Sequence, residues 1–63
     1  MLVFKTKFDI GNRKPYIVST YTATYTMGRI FSKGMIEQRE FHYKDDMDNY
    51  INTLIQKGYT KIY

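Results

Sequence analysis

Apolar and polar residues alternate from residue 2 to residue 8. Leu2, Phe4, Thr6 and Phe8 fall on one side and Val3, Lys5 and Lys7 on the other, which is the period-two pattern of a half-buried strand. Asp9-Ile10-Gly11-Asn12-Arg13-Lys14 breaks that pattern with turn-forming residues. Pro15 then suits the first position of a new strand, because it has no N–H to give to a ladder. Residues 16–31 are rich in Tyr, Thr and Ile and predict two strands, over 15–20 and 23–31. No Gly, Pro, Asn or Asp marks the break at Ser19-Thr20-Tyr21-Thr22, so a single bent strand fits this stretch as well. Met27-Gly28-Arg29-Ile30 reads as strand carrying an arginine, and Ser32-Lys33-Gly34 as the cationic turn that follows it. A further strand is predicted over 35–43. Its middle is polar on both faces, which places it at a sheet edge or against a partner.

The period changes after residue 44. Met47, Tyr50, Ile51, Leu54 and Ile55 recur at helical spacing and form one apolar stripe. Asp45 or Asp46 suits the N-cap, and Asp48 adds favourable charge to the first turn. Lys57 falls in the last turn, and Gly58 suits the position just past the helix. Residues 59–63 follow as a short final strand or a packed tail. A helix with one stripe covers one face of a sheet. The expected class is therefore α+β: a single domain over residues 1–63, with a small antiparallel sheet of about four strands and one amphipathic helix on one face.

Composition narrows what such a domain does. Sixty-three residues without cysteine leave no disulfide, and a lone His42 leaves no histidine pair for zinc. No cofactor is expected. Stability then rests on large side chains and self-association, which makes a homodimer a live expectation. Seven Tyr and four Phe supply apolar area, and more than half of them are expected to be buried. Lys5 and Lys7 interrupt the first apolar stretch, so it does not read as a secretory signal, and no segment has the length of a membrane span. The expectation is a complete small cytoplasmic protein with no membrane partner.

Enzymatic chemistry is not expected. Nucleophilic catalysis needs an activated nucleophile, a base and an orienting group, and His42 is the only imidazole. Asp45, Asp46 and Asp48 read as helix-start charge rather than a calcium loop, which carries more ligands, a glycine and a closing glutamate. Charge is the better lead. The net charge of +4 is uneven: residues 1–36 hold Lys5, Lys7, Arg13, Lys14, Arg29 and Lys33 against Asp9 alone, whereas acidic residues prevail afterwards. Ordinary solubility charge explains that excess as readily as a polyanionic partner does. Aromatic residues interleave with these cations. Arg13, Lys14, Tyr16, Tyr25, Arg29 and Lys33 are the candidate binding residues, with cations for phosphates and rings for bases.

The order of features resembles the WGR domain, a family named for a Trp-Gly-Arg triplet on a strand. Lys14-Pro15-Tyr16 looks like the strand after the first turn, and Met27-Gly28-Arg29-Ile30 like the triplet region, with Met27 where tryptophan is usual. Ser32-Lys33-Gly34 resembles the following turn, Phe41 the aromatic before the helix, and Leu54, Ile55 and Lys57-Gly58-Tyr59 the helix end. The resemblance covers residues 14–60. It implies a curved antiparallel sheet with one packed helix, and nucleic-acid contact of the kind made by the family's members in DNA-dependent poly(ADP-ribose) polymerases. Of the residues that make that contact, only Arg29 carries over. Two functions are therefore expected as alternatives. One is nucleic-acid binding through a basic, aromatic-rich face around Arg29. The other is a protein-binding regulatory or inhibitory role, of the kind that small phage and mobile-element proteins play.

Overall fold

The computed structural model describes residues 1–62. Three strands form an antiparallel meander: β1 (Leu2–Phe8), β2 (Tyr16–Thr26) and β3 (Arg29–Phe41). The helix α1 (Lys44–Gln56) then crosses the sheet, and β4 (Thr60–Lys61) pairs parallel to β1 at the far edge. The sheet order is β3-β2-β1-β4, so the class is α+β with a mostly antiparallel four-stranded sheet and one helix. Three strands precede the helix and one follows it. Tyr63, included in the expected final segment, lies outside the described residues.

The alternation of β1 is realised in its register. Phe4 pairs with Thr20 and Thr6 with Val18, and this face carries the helix. Phe4, Val18 and Leu54 form the buried centre, with Phe41, Met47, Tyr50, Ile51 and Tyr59 packed around it. On the opposite face, Val3 and Ile17 are also buried. Ile55, expected in the apolar stripe, is 56% exposed, because the helix rests on the sheet along a narrower stripe centred on Leu54.

Both helix ends have identifiable causes. Tyr43 occupies the N-cap and offers no side-chain hydrogen bond, so neither Asp45 nor Asp46 caps the helix as expected; both lie inside its first turn, where they complement the dipole. Lys57 is the C-cap, and Gly58 follows with φ +94°. The Gly58 N–H donates to the Ile55 carbonyl, and the Tyr59 N–H donates to the Leu54 carbonyl, each at 3.0 Å. That pair of bonds is a Schellman closure. It turns Tyr59 back onto the core and aims the chain at β1.

Two strand boundaries differ from expectation. Residues 16–26 form one strand, not two, and the turn lies at Met27-Gly28 rather than at residues 32–34. Residues 32–34 lie within β3, which absorbs both the end of one expected strand and the next. β3 nevertheless sits at an edge, as its polar middle requires. It has two residues more than β2, and the excess appears as two bulges: Ile36 is inserted opposite Thr20 and Tyr21, and Lys33 opposite Thr22 and Ala23. Buried Thr20 compensates at the first bulge, its hydroxyl donating to the Glu37 carbonyl at 3.0 Å.

Leu54 is the helix's one fully buried contact with the sheet. Leu54→Ala is expected to lower stability by about 2–5 kcal/mol, read from the urea midpoint, because so small a core cannot collapse around the gap. A loss below about 0.5 kcal/mol would show that the helix is held by something else.

Candidate functional site

β1 accompanies β2 only as far as Thr22, after which the Ala23 N–H donates to the Met1 carbonyl at 2.8 Å. Beyond Ala23 the chain continues as a two-stranded ribbon of β2 and β3 with no third strand beside it. The molecule is 38 Å long in its greatest dimension. Thr26 pairs with Arg29 across the two-residue turn. Met27 has φ +53° and Gly28 φ +78°, the double positive φ of a type I′ hairpin. Glycine takes this conformation freely. A methionine takes it at a cost of roughly 1–2 kcal/mol. Met27 gains no packing in return, being 95% exposed.

The ribbon is apolar on the face away from the helix and mixed on the helix side. Tyr25 pairs with Ile30, and Tyr21 with Met35, on the face away from the helix. Thr24 pairs with Phe31, and Thr26 with Arg29, on the helix side. Tyr25, Ile30, Phe31, Met35 and Ile36 are all exposed. Thr26, Met27, Arg29 and Phe31 line an open concavity at the tip. Neither Arg29 nor Lys33 has an ion-pair partner among the described residues. Lys33 is the bulge residue next to Gly34.

The other candidate residues lie at the opposite end of β2. Arg13 and Lys14 sit in the turn between β1 and β2, and the Tyr16 ring packs against Phe8 at 5.1 Å. Asn12 fastens that turn, donating to the Lys14 carbonyl and to the Glu40 carboxylate on β3. The six candidates therefore form two groups: Tyr25, Arg29 and Lys33 on the ribbon, and Arg13, Lys14 and Tyr16 at the turn. Measured along β2 from Tyr16, the ribbon residues lie six to ten steps away, from Lys33 beside Thr22 to Arg29 opposite Thr26, which is about 20–33 Å at about 3.3 Å per residue. They do not share one surface.

The expectation that most aromatic side chains are buried is overturned. Phe4 is buried, Tyr16, Tyr21, Phe41, Tyr50 and Tyr59 are half-buried, and Phe8, Tyr25, Phe31 and Tyr43 are exposed. Met27, Ile30 and Met35 were missed as surface residues. Gly28 alone signals the hairpin that exposes them, because Met27 is a poor residue for positive φ.

A separate polar cluster lies beside the helix. The Arg39 Nε donates to a Glu37 carboxylate oxygen at 2.7 Å, and its guanidinium lies 5.1 Å from the Tyr50 ring centroid. Burial pushes the Tyr50 phenol above its ordinary value, and the Glu37 carboxylate pushes it further in the same direction. Among the described residues, no group of three or more His, Asp or Glu gathers as a cation site.

No family model, curated protein or solved structure matches this chain.

Two measurements test the strained tip and the half-buried phenol. Met27→Asn keeps the turn and relieves the backbone, so it is expected to raise stability by about 0.5–1 kcal/mol in urea titrations. An unchanged midpoint would mean that the methionine side chain compensates. The Tyr50 phenol holds its proton more tightly folded than unfolded, so its contribution is present below the ordinary value of 10.0 and lost as pH rises through the folded value. Tyr50→Phe is expected to flatten the alkaline decline of stability above about pH 10. An equally steep decline would remove the phenol from the linkage.

Proposed function

We propose that this chain is a non-enzymatic nucleic-acid-binding module that works through the tip of its β2–β3 ribbon. The observation that carries the reading is Met27: an apolar side chain held almost fully exposed, in a backbone conformation that disfavours it, beside an unpaired Arg29. Local rules broken without a packing gain are expected at working sites. A two-stranded ribbon fits a nucleic-acid groove, and apolar side chains such as Met and Phe can wedge between base steps while Arg holds phosphate. All charges from Ile10 to Ile36 are positive: Arg13, Lys14, Arg29 and Lys33. The same tip is the part of the chain that resembles the WGR triplet. In this reading Arg29, Lys33 and Tyr25 make the tip contact. Arg13, Lys14 and Tyr16 reach the same polyanion only where it runs about 6–10 base pairs further. The cytoplasm is the compartment this reading assigns, and no helix among the described residues is long and apolar enough to cross a membrane.

A second reading, a protein-binding regulatory role, is favoured by a different observation. Tyr25, Ile30 and Phe31 on the ribbon, with Met35 and Ile36 at its base, expose more apolar surface than phosphate contact requires.

Fluorescence anisotropy with labelled single- and double-stranded DNA and RNA separates the two. The nucleic-acid reading expects affinity that falls as salt rises, and Arg29→Ala is expected to weaken binding and reduce the salt slope by about 1. No binding to any of these probes at low salt would sink it and leave the protein-partner reading. Unchanged affinity in Arg29→Ala would remove the tip arginine from the contact.

A further inference from the structure

β3 is an edge strand of thirteen residues with β2 on one side and, among the described residues, no strand on the other. An exposed edge of that length offers a row of unpaired N–H and C=O groups to another strand. We propose that its occupant is a second copy of this chain. It pairs antiparallel with β3 about a two-fold axis near Met35 and merges two four-stranded sheets into one of eight. The inference rests on the β3 edge; it draws on Arg29 and Lys33, which the proposed nucleic-acid contact also uses, but its test reads the oligomeric state alone.

Geometry, facing and charge select that partner and that register. The bulges at Lys33 and Ile36 would interrupt any continuous ladder through the middle of β3. With the axis at residue 35, the bulged middle lies on the axis. The regular stretches 29–32 and 38–41 then face each other twice. Paired residues must also share a face of the merged sheet. Arg29 and Phe31 lie on the helix side, as do Arg39 and Phe41, which would oppose them in reverse order. Ile30 and Ser32 lie on the other side, as do Gln38 and Glu40, their partners in this register.

Charge gives the same answer. Lys33 of each copy falls opposite Glu37 of the other, where opposite signs meet, and Phe31 falls opposite Arg39, where a ring meets a cation. Moving the axis to residue 34 sets Arg29 against Arg39. Moving it to residue 36 sets Lys33 against Arg39, and also opposes Met35 and Glu37, which lie on different faces. In the favoured register the cationic ribbon of each copy extends toward the acidic first turn of the other's helix, which carries Asp45 and Asp46. The uneven charge along the chain thus becomes complementary in the pair.

Sedimentation equilibrium over a range of protein concentration and salt tests the proposal. The unmodified chain is expected to form a dimer that weakens as salt rises. K33E and E37K each set like charges against each other at both symmetric contacts, so each alone is expected to raise the dimer dissociation constant by more than about tenfold. An equimolar mixture of the two variants restores opposite signs at both contacts and is expected to recover the dimer. Circular dichroism checks that both variants remain folded. A second measurement needs no charge change: the natural chain has no cysteine, so Met35→Cys is expected to form a cross-linked dimer on mild oxidation. A monomer at every concentration, or a mixture no more associated than its components, would overturn the proposal. So would a Met35→Cys variant that stays uncross-linked.

Discussion

A helix and a strand of equal residue count differ in reach by a factor of about two. The thirteen residues of α1 extend about 20 Å at 1.5 Å per residue. The thirteen of β3 extend about 43 Å at 3.3 Å per residue, less what its bulges and twist remove. One helix therefore cannot cover the sheet on which it lies. The core gathers where the helix does reach, around Phe4, Val18 and Leu54. Everything past that reach is left in solvent, and the ribbon with its exposed rings follows from this mismatch of lengths.

The mismatch also divides the molecule energetically. The covered end holds the buried side chains, the Schellman closure and the Thr20 bond across the bulge. The ribbon holds only its own ladder and its exposed cross-strand pairs. Segments with few buried contacts open locally at lower free energy than the core. The ribbon is thus the part of the fold best able to adjust to a partner without disturbing the rest.

Much of the covered end was legible in the sequence. The strand over residues 2–8, the stripe of Met47, Tyr50, Ile51 and Leu54, and Gly58 past the helix each follow from a local rule and are found, although burial in the strand does not alternate, Val3 and Phe4 both being buried and Phe8 exposed. The hairpin was not legible. Ser32-Lys33-Gly34 carries stronger turn chemistry than Thr26-Met27-Gly28-Arg29, yet the bulge at Lys33 absorbs that irregularity inside a strand. Met27 hid the real turn because it is a poor residue for positive φ. Two consequences followed. With β2 unbroken, Tyr16 and Tyr25 stand at opposite ends of one strand rather than near each other, so the six candidate residues separate. Aromatic burial was overestimated as well, because composition says nothing about how far a helix reaches along a strand. The edge position of β3, by contrast, was visible in its polar middle.

The pairing of β4 with β1 sets the order in which this protein can be made. Thr60 and Lys61 lie beside Val3 and Phe4, and the Ile62 N–H donates to the Phe4 carbonyl at 2.9 Å. The buried centre likewise joins Phe4 to Leu54 across most of the chain. Contacts so distant in sequence must meet their loop-closure entropy before they return any stabilisation. During synthesis the first strand and the hairpin emerge without the helix that covers them. Phe4 and Val18 stay open to water until Leu54 has been added. Folding therefore waits for the segment through Ile62, and the growing chain passes through a stage in which the apolar residues of β1 and β2 lack their cover.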